Sequence, residues 1–166
     1  MTLLNEIYIS MFKPHEYYKF KEQTLPHLLA FLVLVLFISE VFKTLYLFGF
    51  SLIAGNFSAV YQLFLSGLTW TYVLGLLYSY VGLLASIIVF VILFKGVDLI
   101  KEYKHVKVGT QVIYAVHLSL ISAILSNIFS FFVIFFIAGY YIMAVKGEIM
   151  LKANNNEKIN PLNLLR

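Results

Sequence analysis

The chain contains no cysteine in its 166 residues, which excludes disulfides, thiolate metal sites and a cysteine nucleophile. Charge is scarce as well. Only 12% of the residues are Asp, Glu, Lys or Arg and 61% are hydrophobic, against about 25% charged in ordinary soluble domains. A soluble core cannot enclose that much apolar surface, so the class is membrane protein. No Pro/Gly/Ser-rich linker separates two folded units, and the chain is read as a single domain. The short basic-then-apolar pattern of a signal peptide is missing. Met1 to Phe12 is mixed and the first long apolar run starts near Leu25, so that run is expected to be a retained span.

Chemical signatures are also absent. His15, Glu16, His27 and His105 offer neither an i,i+4 ligand pair nor the HExxH spacing, so no metal site is expected. There is no GxSxG elbow and no phosphate-binding glycine loop. The chain is therefore read as a non-enzyme with no catalytic residue and no cofactor. Its net charge of +4 comes from basic residues placed beside apolar segments rather than in a dense basic-aromatic run. They are read as orientation and interfacial anchors, with no nucleic-acid partner.

What is present is a set of long apolar runs. A crossing needs roughly 20 apolar residues, and Leu25 to Phe48 fits one span. Ala59 to Phe94 is uncharged and would run about 54 Å as one straight helix. We expect an interfacial or re-entrant piece over 57–69, a joint near Gly67, and a span over 71–94, with Trp70 and Tyr72 at the interface. Val108 to Val145 is similarly overlong, and a tight turn near Ser126 and Asn127 would divide it into spans over 108–126 and 128–146. The predicted architecture is an all-α, polytopic transmembrane helical bundle of four spans with both termini cytoplasmic. Its transmembrane domain covers 25–146, flanked by a cytoplasmic interfacial amphipathic segment (1–24) and a polar cytoplasmic tail (147–166).

Charge parity supports this count. Four spans place Lys13, Lys19, Lys21, Lys95, Lys101, Lys104, Lys107, Lys146, Lys152, Lys158 and Arg166 on the cytoplasmic side and leave only Lys43 outside. Dividing 59–94 into two spans, or leaving 108–145 undivided, would move basic clusters outside.

Within the spans, Gly75, Ser79, Gly82 and Ser86 recur at helical spacing, as do Ala115, Ser119, Ser122 and Ser126. Small stripes let helix backbones approach closely, so the second and third spans are expected to pack along them. The other use of such hydroxyls is a polar path for a solute, lined by Ser79, Ser119, Ser122 and His117 in a small transporter or channel component. His117, alone well inside its span, and the i,i+3 pair Glu40 and Lys43 form the candidate intramembrane polar site. An intramembrane enzyme would need His117 to meet Glu40 or Ser119.

In the amino-terminal segment, Leu4, Ile7, Tyr8, Met11 and Phe12 share a helical face, and Lys13-Pro14 breaks the helix before Tyr17, Tyr18, Lys19, Phe20 and Lys21. The segment MFKPHEYYKF before the first span, together with KVGTQVIYAVHLSLISAIL later, resembles the Yip-type superfamily and its bacterial relatives. Phe12, Pro14, Tyr17 and Phe20 correspond to that family's proline-containing aromatic segment, and Thr110, Gln111 and Tyr114 to its polar span start. The chain departs from the family in having four predicted spans rather than five, and in lacking a proline over Ser119 to Ile124. The resemblance implies a non-enzymatic membrane protein that organises partners or membranes. The expected function is a scaffold or accessory subunit of the bacterial cytoplasmic membrane, acting on membrane lipids and on protein partners or copies of itself through its helices.

Overall fold

The computed structural model describes residues 2–58, 61–62, 70–101, 106–129 and 132–159. Every regular element among them is helical: α1 (Leu3–Phe12), a 3₁₀ segment (Pro14–Phe20), α2 (Leu25–Ile53), α3 (Trp70–Lys101), α4 (Val108–Phe129) and α5 (Val133–Ile159). Four stretches are long and apolar enough to cross a membrane, Leu25–Ile53, Val73–Lys101, Val108–Ser126 and Val133–Ala153. The chain is a four-span helical bundle with an amino-terminal arm, formed by α1 and the 3₁₀ segment, folded against it.

Local chemistry sets the helix ends. Pro14 disfavours helical backbone at the residue before it, and Lys13 leaves the helix at φ −129°, ψ 61°. Thr24 stands extended before α2, and Pro26 sits in the first turn, where its missing N–H costs nothing. At the other end of α2, Gly55 adopts φ +71°. Its N–H reaches Leu52 O at 3.4 Å, and that of Asn56 reaches Ser51 O at 3.0 Å. This paired return of N–H groups onto the last-turn carbonyls needs a left-handed residue, which glycine supplies without strain.

Several boundaries differ from the sequence expectation. α4 continues through Ser126 and Asn127 to Phe129, so the turn into α5 falls a few residues later than predicted. Serine and asparagine lower helix propensity only slightly, so neither residue forces a break. The Lys95–Lys101 stretch continues α3 as helix, and the polar tail is helical as far as Ile159. The piece expected over 57–69 falls largely outside the described residues.

The most apolar spans are the most exposed. In α4 56% of the span window is buried, against 11% in α3, and every residue from Tyr114 to Ile121 is buried. A helix enclosed by protein tolerates Gln111, His117 and Ser119, whereas one facing hydrocarbon must be apolar all round. α4 is thus the central post, touched by α1, α2, α3, α5 and the 3₁₀ segment.

The small-residue stripes are not the main α3–α4 contact. Gly75 and Gly82 are exposed, and a Cβ on either would meet nothing within 4 Å. The buried face of α3 is instead Ile87, Phe90 and Phe94. Ala115 and Ser119 are buried in α4, Ser122 is half-buried and Ser126 exposed. Close approach does occur at a different glycine. A Cβ on Gly147 of α5 would lie 2.0 Å from His15 O and 2.7 Å from His15 C and Cα, so the backbone of the arm rests directly on α5.

Candidate functional site

The arm presents part of its apolar face outward, with Ile7 and Met11 half-buried against the bundle. Leu4, Tyr8 and Phe12 are exposed, while Glu6, Ile9 and Ser10 are buried. An apolar face directed outward suits contact with lipid at the interface, and the polar face directed inward requires partners inside the bundle. Two of those partners satisfy the last carbonyls of α1, which have no intrahelical donor. Tyr17 donates its hydroxyl to Ser10 O at 2.6 Å, and Tyr140 of α5 donates to Met11 O at 2.9 Å.

The polar face of α1 meets His117. Ser10 Oγ lies 3.0 Å from His117 Nδ1, and Gln23 Oε1 lies 2.7 Å from His117 Nε2. An amide oxygen only accepts, so Nε2 carries the proton and Nδ1 accepts from the Ser10 hydroxyl. Gln23 Nε2 in turn donates to Glu6 Oε1 at 2.9 Å. His27 Nε2 donates to Glu6 Oε2 at 2.9 Å, and His117 Nε2 also faces Glu6 Oε1 at 3.6 Å. The ring of Phe20 stacks on the imidazole at 3.7 Å, with Phe31 tilted against it at 4.6 Å. His117 is a bridge holding α1, the approach to α2 and α4 together.

The pairing of a serine hydroxyl with an imidazole and a nearby carboxylate has the form of an activated nucleophile. Its surroundings argue for structure instead. Ser10, His117 and Glu6 are all 0% exposed, and the aromatic rings of Phe20 and Phe31 cover the imidazole. No group of His, Cys, Asp or Glu among the described residues is arranged to hold a metal ion.

A second network lies beside the first, at the same end of the bundle. Asp98, near the end of α3, accepts from Gln111 Nε2 at 2.6 Å and from the Tyr141 hydroxyl at 2.8 and 2.9 Å. Tyr141 stacks on Phe94 at 3.9 Å. Glu148 of α5 accepts from the Tyr114 hydroxyl at 3.2 Å, pairs with Lys152 at 2.9 Å and also pairs with Lys21 of the arm. These bonds join the start of α4, the end of α3, the later half of α5 and the arm at one end of the bundle. On the arm's surface, the Lys19 hydrogen bond, with Lys13 beside it, holds the Glu16 carboxyl below its ordinary value, and Glu16 raises Lys19 in return. Burial pushes the Tyr17 hydroxyl well above the ordinary tyrosine value.

The residues predicted as one polar site are separated. Glu40 accepts from Ser79 Oγ of α3 at 3.2 Å and lies 3.8 Å from Lys43, an i,i+3 ion pair within α2. His117 bonds neither Glu40 nor Ser119, whose hydroxyl returns to Val116 O at 2.6 Å. The stripe hydroxyls of Ser86 and Ser126 likewise return to their own helices. Sequence reading missed Glu6, Ser10 and Gln23, and it missed Asp98 and Tyr141 as partners of Gln111 and of each other. A signal existed for one pair, because Glu6 and Ser10 are four apart on α1 and thus on one helical face. The long-range partner was not legible. Tyr17 of the arm lies against Tyr114 of α4 with ring centroids 5.6 Å apart. No family model, curated protein or solved structure matches the chain.

Proposed function

We propose that the protein is a non-enzymatic scaffold or accessory subunit of a bacterial cytoplasmic membrane, acting through helix–helix and lipid contacts, with both termini cytoplasmic. The observation that carries this reading is the contrast within the bundle. Its polar side chains are gathered in interior networks, while α3 buries only 11% of its span window and presents Leu74, Leu77, Tyr78 and Val81 outward beside the open Gly75 and Gly82. A helix so little used by its own fold, with small residues at a seven-residue spacing, is suited to receive another helix.

Other features support the same reading. The resemblance to the Yip-type superfamily implies organisation of partners rather than catalysis. The arm and the later part of α5 lie at one end of the bundle, which fits an even number of crossings and termini on a shared side. A solute path is less well supported, because Ser79 is bonded to Glu40, Ser119 to its own helix, and His117 is sealed by aromatic rings.

The test is photo-crosslinking in native membranes from Leu77 and Tyr78, compared with the buried Leu118, followed by purification in mild detergent. Protein adducts from the α3 positions, abolished by Gly75→Leu with Gly82→Leu, are the expected result. Both substitutions enter open space, so the isolated chain should keep its stability. Adducts to lipid alone, or protein adducts unaffected by the double substitution, would remove the partner-helix reading.

A further inference from the structure

We infer that the cleft between α2, α3 and α4 is a binding site for one acyl chain of an anionic glycerophospholipid, whose phosphate is held by Lys95. This deepens the proposed function and rests on its reading of the chain as a membrane protein that works partly through lipid. The cleft has a volume of about 430 Å³ and is lined by apolar side chains throughout. Its floor is tightly packed, with Leu28, Leu32 and Val116 between 2% and 6% exposed, whereas the rim residues Leu25, Ile88 and Ile92 are between 63% and 68% exposed. It is thus open sideways, toward the bilayer.

The occupant follows from the surroundings. A cavity without polar partners does not hold ordered water, and within a bilayer the available filler is hydrocarbon. The lining of α3 runs from Leu84 to Ile92, a rise of about 12 Å. That is close to the depth of one leaflet, about 15 Å, half of the hydrocarbon core. The cleft also includes Leu25, the first residue of α2, so it begins where that span enters the membrane.

Charge then selects the headgroup. Ile88, Val91, Ile92 and Lys95 lie on one face of α3 at helical spacings of three, four and seven, which places Lys95 one turn beyond the cleft at its interfacial end. Lys13, Lys19, Lys21 and Lys152 at this end of the molecule are all engaged with Glu16 or Glu148. Lys95 is exposed and makes no ion pair among the described residues. Lys107, whose carbonyl receives the Gln111 N–H at the start of α4, adds positive charge at the same end. A cation without an ion pair among the described residues, one turn beyond a chain-width apolar cleft, is complementary to a lipid phosphate carrying net negative charge.

The test is native mass spectrometry of the full chain in neutral detergent, titrated with phosphatidylglycerol or with phosphatidylethanolamine bearing the same acyl chains. The wild type should retain phosphatidylglycerol preferentially. Lys95→Gln should lower that retention about fivefold, the contribution of one lysine near a membrane surface, and leave phosphatidylethanolamine retention unchanged. Lys101→Gln, off the cleft's face, should change neither. Ile88→Trp, filling the cleft from its exposed rim, should reduce both lipids. Leu29→Phe replaces it if circular dichroism shows loss of fold. Unchanged phosphatidylglycerol retention in Lys95→Gln, equal losses in Lys95→Gln and Lys101→Gln, or unchanged retention in the filled cleft would each overturn the site. Because the isolated chain is used, such a result would leave the cross-linking test of a partner helix untouched.

Discussion

Replacing Gly147 by alanine should detach the amino-terminal arm. The added Cβ would stand 2.0 Å from His15 O and 2.7 Å from His15 C and Cα. These are backbone atoms, so no rotamer change relieves the overlap. Reaching even the shortest tolerable separation of 3.0 Å requires the 3₁₀ segment and α5 to part by about 1 Å. Overpacking of this kind costs about 1–3 kcal/mol. For a chain of this length that corresponds to a fall in Tm of roughly 2–12 °C. The separation also acts on the neighbouring Lys21–Glu148 pair and on the Tyr140 bond to Met11 O, which span the same junction. The assay is thermal unfolding in detergent together with limited trypsin digestion. Lys19 and Lys21 are cleavage sites that the docked arm protects and a released arm exposes. Gly139→Ala on the same helix is the control, since its Cβ would meet nothing within 4 Å, and helix propensity favours alanine there. If Gly147→Ala matches Gly139→Ala in both melting and digestion, the arm does not rest on α5 as described.

Two further outcomes test the arm's inner face. Glu6→Ala removes the buried acceptor of the half-buried Gln23 amide and should cost about 1–3 kcal/mol, whereas Glu6→Gln, which keeps an oxygen at that place, should cost less; equal melting temperatures for the two variants would show that the Glu6–Gln23–His117 network is not formed. Tyr17 supplies a pH test: as pH rises past the ordinary value of 10.0, the unfolded chain releases the phenolic proton while the folded chain retains it, so stability should fall with pH from there up to the raised folded value. Tyr17→Phe should flatten that alkaline decline, and an unchanged decline would place its cause elsewhere.

The class of the molecule is written in its composition. Low charge and long apolar runs leave a helical membrane bundle as the only way to satisfy the backbone, and charge parity divides the two overlong stretches so as to leave four spans in all. Helix ends set by local stereochemistry were legible too, as at Pro14 and Pro26. The turn at Ser126 and Asn127 was not, because an asparagine inside an apolar helix marks a break only if the neighbours permit one.

The arrangement of the helices was decided by the tertiary structure. Small residues at regular spacing make a contact face possible, but Gly75 and Gly82 face outward while Gly147, which belongs to no stripe, carries the closest backbone approach. Likewise the apolar stripe of α1 was visible, but not the partners that its polar face meets inside the bundle. Spacing along a helix specifies which residues share a face. It does not specify what lies opposite, and only the fold brings Glu6, Ser10 and Gln23 to His117, separated from Ser10 by 107 positions in sequence. The sequence by itself determined a membrane bundle with an amphipathic arm; the partners of that arm's polar face were decided by the tertiary structure, because a buried carboxylate, hydroxyl and imidazole must be satisfied where water is excluded.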